Sequence, residues 1–113
     1  MNFEVQKNGS ATVFQLKERN LDSSISAELK GEFLILCRPR LTHLIIDLSE
    51  VEFCDSSGLS ALLIAERQMR EHGGMLKLVG LRKKVLSLIK ISQLDRAFQI
   101  YNTVHDALKP KAS

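Results

Sequence analysis

Tryptophan is absent, Tyr101 is the single tyrosine, and only two cysteines and two prolines occur in 113 residues. So few stacking side chains argue against a nucleic-acid surface, and the net charge of +3 is too mild to argue for one. The basic residues Arg82, Lys83, Lys84 and Lys90 interleave with apolar positions at helical spacing, which is the pattern of a solvated helix face. Cys37 and Cys54 are too few and too poorly spaced for a zinc site or a disulfide framework, and read as reduced, partly buried thiols. No apolar run reaches the roughly 20 residues that a membrane helix needs. The N-terminus, Met1-Asn2-Phe3-Glu4, has no basic stretch leading into an apolar one. A cytoplasmic protein is therefore expected, with no membrane span.

A composition of 44% hydrophobic and 26% charged residues suits one compact domain with a core of its own. The predicted domain covers residues 1–108, with 109–113 a flexible tail. Phe3–Lys7 and Ala11–Leu16 read as strands flanking Asn8-Gly9, a dipeptide suited to a hairpin turn. After a polar loop at Lys17–Asn20, Asp22 and Ser23 are candidate caps for a helix that carries Ile25, Leu29, Phe33, Leu36 and Cys37 and stops before Pro39. Leu44–Leu48 is a near-continuous apolar strand, expected to be central in its sheet. A second helix starts near Leu59, buried at its beginning and wet at its end, and stops at Gly73-Gly74. The strand Met75–Val79, a short amphipathic helix around Val85–Ile89, a strand at Phe98–Ile100 and a final helix capped by Asn102 or Thr103 complete the chain. The order ββαβαβαβα predicts an α/β domain with a mixed, mostly parallel sheet packed against helices. Phe33, Ile46, Leu62 and Leu78 should share one core.

Between the central strand and the second helix lie four small residues, Asp55-Ser56-Ser57-Gly58. Short oxygen-bearing side chains here satisfy the unpaired amides of a first helical turn, and the Ser57 hydroxyl is expected to serve as a cap. Gly58 lets another backbone or a bound partner approach closely. In sheets of this kind, loops that leave strand C-termini form the functional edge. A nucleophilic serine would need a base within reach. His72 is roughly 22 Å from Ser57 along the helix at 1.5 Å per residue. His43 starts the preceding strand, at the other edge of the sheet, while His105 on the last helix stays open. Neither a G-x-S-x-G elbow nor a cysteine-phosphatase loop is present, and Asp47 with Asp55 lacks a visible third ligand for magnesium. The reading is a binding module rather than an enzyme, with no catalytic, metal or cofactor residues.

The run Asp47–Leu63, followed by His72-Gly73-Gly74 and a strand, resembles the STAS domain of bacterial anti-sigma factor antagonists through the pattern DLS-x-V-x-F-x-DSSGL. The resemblance extends from Phe3 to Leu108. Two features depart from the family: Lys17-Glu18-Arg19-Asn20 lacks a glycine usual before Leu21-Asp22, and the common SGL after the third helix reads Ser92-Gln93-Leu94. The resemblance implies that Ser56, the first serine of DSSG, is phosphorylated by an anti-sigma factor serine kinase. Unphosphorylated protein binds that kinase and frees a sigma factor, and a serine phosphatase resets the switch. Asp22 matches a position of the partner surface. The expected partner face comprises Asp22, Glu50, Asp55, Ser56, Ser57, Gly58 and Leu59, with a core position the competing reading for Leu59. Homodimer formation is left open. Two other roles stay open as well, a subunit of a lipid-transport ATPase complex that is not phosphorylated and a component of a stress-sensing assembly.

Overall fold

The computed structural model describes residues 1–109. Strand β1 (Phe3–Asn8) turns into β2 (Ala11–Leu16), and the two pair antiparallel with Asn8 opposite Ala11. The turn residues are thus Gly9 and Ser10, one position later than expected, because Gly9 supplies the left-handed conformation (φ +64°) while Asn8 stays in the ladder. The chain continues through β3 (Asn20–Leu21), α1 (Ser26–Leu36), β4 (His43–Asp47), β5 (Phe53–Cys54) and α2 (Ser56–Glu71). Then follow β6 (Met75–Val79), α3 (Lys83–Ile91), a 3₁₀ turn (Leu94–Arg96), β7 (Gln99–Tyr101) and α4 (Val104–Leu108). The main sheet has the order β1-β2-β4-β6-β7, with every pair after the first hairpin parallel, so β4 is central as expected. Not foreseen is the small parallel sheet of β3 and β5, each two residues long.

Alternation along the strands divides the interior in two. Leu44 and Ile46 of β4 join Phe14, Phe33, Leu62, Met69 and Leu78 in the large cluster beneath α1, α2 and α3. Phe33, Ile46, Leu62 and Leu78 therefore share one core. Phe14 anchors it with a stacked contact to Phe3 (4.8 Å between centroids) and an edge contact to Phe33 (5.2 Å). Ile45 points the other way, into a small cluster with Val13, Val79 and Ala107 under α4. The second half of α2 is less wet than its charged residues suggested. Met69, in its last turn, is fully buried. Residues 110–113, most of the predicted tail, lie outside the described residues, and Lys109 closes α4 with an ion pair to Asp106 (3.5 Å).

Candidate functional site

The C-terminal ends of β2, β4 and β6 and the start of α2 form one edge of the molecule. Its centre is the α2 N-terminus. Asp55, in extended conformation, caps the helix: its carboxylate accepts from the Gly58 amide (3.0 Å). The expectation that the Ser57 hydroxyl caps is corrected. Ser56 and Ser57 occupy the first two helical positions, too far along to do so, and neither hydroxyl makes a hydrogen bond within the described residues. Ser56 is exposed and Ser57 half-buried, with the Ser57 carbonyl accepting from the hydroxyl of Ser26 at the start of α1 (3.0 Å).

Pairing of β3 with β5 brings Asp22 to the same place. Leu21 lies opposite Cys54, so Asp22 and Asp55 follow equivalent positions on adjacent parallel strands, and the Asp55 amide donates to the Leu21 carbonyl (3.2 Å). Asp22 does not cap α1 through its side chain. That carboxylate instead accepts from the hydroxyl and the amide of Ser24, closing a tight turn before the helix, and these two bonds hold its pKa below the ordinary carboxylate value. Ile25 flanks the helix with no side-chain cap.

The inner side of the turn faces the protein itself. A Cβ on Gly58 would lie 2.2 Å from the Leu21 carbonyl oxygen and 2.9 Å from the Cys54 sulfur, so the close approach that glycine permits is that of β3. Leu59 is 5% exposed and belongs to the large core. Gly58 and Leu59, expected on the partner face, are both buried, Gly58 against β3 and Leu59 in the large core. Glu50 is exposed on the loop after β4, where its carboxylate meets the Gln15 amide (3.4 Å) at the end of β2. It shares the edge with Asp22 and Ser56 but touches neither.

Sequence reasoning missed an ionic cluster beside the turn. Glu52 pairs with Arg19 (2.7 Å) and stands 4.0 Å from Arg82, and Arg82 also donates to the Ser49 carbonyl (2.9 Å). These residues sit in three loops far apart in the chain, so no local spacing announces them. Next to them Phe53 is 49% exposed, an aromatic ring three residues from Ser56. Val51 and Phe53 both alternate with glutamates in the sequence, a pattern that groups Phe53 with buried Val51, so no local signal announced its exposure.

Chemistry at this edge is limited. Cys54 is desolvated and sits beside the Asp55 charge, which pushes its thiol up to about 12, and burial pushes Cys37 up to about 11. Neither is a nucleophile at neutral pH. His72 is held 2.9 Å from the Leu41 carbonyl beyond the far end of α2. His105 belongs to α4, which packs on the opposite face of the sheet from α2. No histidine is placed to activate Ser56 or Ser57.

A family model described as STAS domain matches residues 2–107. The chain belongs to the STAS domain family. A Thermotoga neapolitana protein named as an anti-sigma factor antagonist homologue is 32% identical over 66 residues, which cover 58% of this chain and 58% of the relative. The alignment thus spans little more than half of that relative's length. An anti-sigma factor antagonist from Mycobacterium paratuberculosis superposes with a TM-score of 0.83 at 25% identity, covering 95% of this chain and 90% of that one. The fold is shared with the Bacillus cell-fate determinant SpoIIAA in its phosphorylated form, at a TM-score of 0.73 and 18% identity over 95% of this STAS domain and 96% of that chain. Among the described residues no helix is long and apolar enough to cross a membrane.

Proposed function

We propose that this STAS domain is an anti-sigma factor antagonist controlled by phosphorylation of Ser56. The unphosphorylated form binds an anti-sigma factor serine kinase in the cytoplasm and so releases a sigma factor. Phosphate on Ser56 ends that binding, and a serine phosphatase restores it. The observation that carries this reading is the division of labour at the α2 start. Asp55 does the capping, and the Ser56 hydroxyl is exposed and, among the described residues, engaged by nothing else.

Physical chemistry supports a switch that leaves the fold alone. A phosphate brings about −1.5 to −2 charges. At the first turn of a helix the amides and the macrodipole favour such an anion by about 0.3–1 kcal/mol. Toward a docked protein the same dianion must be desolvated beside the Asp55 carboxylate, which costs several kcal/mol, and each 1.4 kcal/mol is about tenfold in affinity. Asp22, Glu50 and the half-buried Ser57 supply the surrounding polar contacts of the docking face.

The experiment is transfer of labelled phosphate from ATP by the kinase that co-purifies with this chain. Label is expected on Ser56, with Ser56→Ala unlabelled yet still bound and Ser57→Ala still labelled. Label persisting on Ser56→Ala would move the switch to another residue. Capture of a membrane transport ATPase, with no labelling by any co-purified kinase, would overturn the reading in favour of a transport subunit.

A further inference from the structure

At the end of the sheet farthest from Ser56, a groove of about 450 Å³ runs between the β1–β2 hairpin and the end of α1. Small-molecule sites usually fall between about 300 and 1,000 Å³. One wall is aliphatic, made by Ile35 and Leu36 of α1 and by Leu41 just before β4. Ile35 is 60% exposed, so this wall offers apolar surface to a ligand. The two sides of the groove are tied together: Thr42 donates from its amide (3.3 Å) and from its hydroxyl (3.2 Å) to the Ser10 carbonyl in the hairpin turn.

The charged lining is all of one sign. Lys7, Arg38 and Arg40 stand exposed around the rim, and none of the described lining residues is acidic. None of these three cations has an acidic partner among the described residues. Arg38 donates to the Ile35 carbonyl (3.2 Å), which fixes its place and leaves its charge unpaired. At the base lies Thr12, opposite Lys7 in the β1–β2 ladder and on the side of the strand that carries Phe14. Thr12 is 5% exposed, and its hydroxyl has no hydrogen-bond partner among the described residues. That oxygen is nonetheless not sealed from solvent, so it opens on the groove. A single carboxylate would leave most of this donor set unanswered. A phosphate monoester brings about −1.5 to −2 charges and three strong acceptor oxygens, and guanidinium groups bind it through paired hydrogen bonds.

We infer that this groove binds an alkyl phosphate, with the phosphate over Thr12 among Lys7, Arg38 and Arg40 and the chain along Ile35, Leu36 and Leu41. A soluble alkyl phosphate and the head group of an anionic phospholipid present this same chemistry. The site shares no residue with the Ser56 edge and is independent of that switch.

The test is titration of the full chain with hexyl phosphate and hexanol, followed by side-chain methyl NMR. Hexyl phosphate should bind saturably, with shifts at Thr12, Ile35 and Leu41. Hexanol should bind at least about tenfold more weakly, since the charge-assisted contacts are lost. Lys7→Glu and Arg40→Glu, both at exposed positions, should each weaken hexyl phosphate by about tenfold or more at an unchanged melting temperature. Thr12→Val should weaken it several-fold, and the two rim variants decide the question if that protein does not fold. Equal affinity for hexanol, undiminished binding to Arg40→Glu, or shifts centred on Ile45 and Met75 of the face under α4 would each overturn the assignment. The source is separated by sedimentation with vesicles of equimolar phosphatidylcholine and phosphatidic acid. Co-sedimentation that Arg40→Glu abolishes assigns the lipid head group, and saturable hexyl phosphate binding without co-sedimentation assigns a soluble alkyl phosphate. Binding to neither overturns the inference.

Discussion

The start of α2 and the end of α3 are both helix termini carrying serine, and they use their residues in opposite ways. At the start of α2 each position suits its conformation: Asp55 in the cap, Gly58 where β3 comes closest, Leu59 in the core. The Ser56 and Ser57 hydroxyls are left over, and of the two residues only Ser56 is exposed. At the end of α3, Ser92 is followed by Gln93 at φ +60°, a left-handed conformation that glycine adopts more cheaply. That corner is exposed, and the terminal Ile91 of α3 is 79% accessible. A rigid, fully committed turn can present one spare hydroxyl in a fixed place, whereas a corner with no such duty tolerates strain.

The contrast breaks most severely if α2 is not anchored in the core one turn beyond its start. Leu62→Ala is expected to cost about 2–5 kcal/mol in denaturant unfolding, because the side chain is fully buried among α1 and the sheet. A loss below about 0.5 kcal/mol would contradict the placement. Gly58→Ala comes next, at about 1–3 kcal/mol of destabilisation, since the new methyl group meets the Leu21 carbonyl and must push β3 away. At an exposed helical site the same change would stabilise by up to about 1 kcal/mol, so the sign alone discriminates. Asp55→Ala should cost about 1 kcal/mol through loss of the cap.

At the α3 corner the sign reverses. Gln93→Gly should stabilise by about 0.5–1 kcal/mol, relief of the left-handed backbone outweighing the added freedom of the unfolded chain. An unchanged or lower midpoint would mean that Gln93 is not strained.

Much of this was legible in the sequence because it is local or periodic. The central strand, the spacing of Phe33 and Leu62, the glycine after α2 and the Thr103 cap on the Asp106 amide can each be read from a few neighbours. The departure at Gln93 was visible as a missing glycine, although its conformation was not. What escaped depends on pairing across the chain. β3 and β5 are too short to carry any alternation and exist because the loops after β2 and β4 meet. Their meeting decides that Asp22 stands beside Asp55, that Gly58 faces inward, and that Arg19 and Arg82 converge on Glu52. The capping residue was misassigned because Asp, Ser and Ser in succession are all competent, and only the backbone at Asp55 separates them.

The central claim is that charge at Ser56 ends partner binding without disturbing the fold. Its most direct test is to measure, on one preparation of Ser56→Asp, both affinity for the co-purified kinase and thermal unfolding. Affinity is expected to fall by about tenfold or more while the melting temperature stays within about 2 °C of wild type. Undiminished affinity, or a loss of binding matched by a melting temperature many degrees lower, would contradict it.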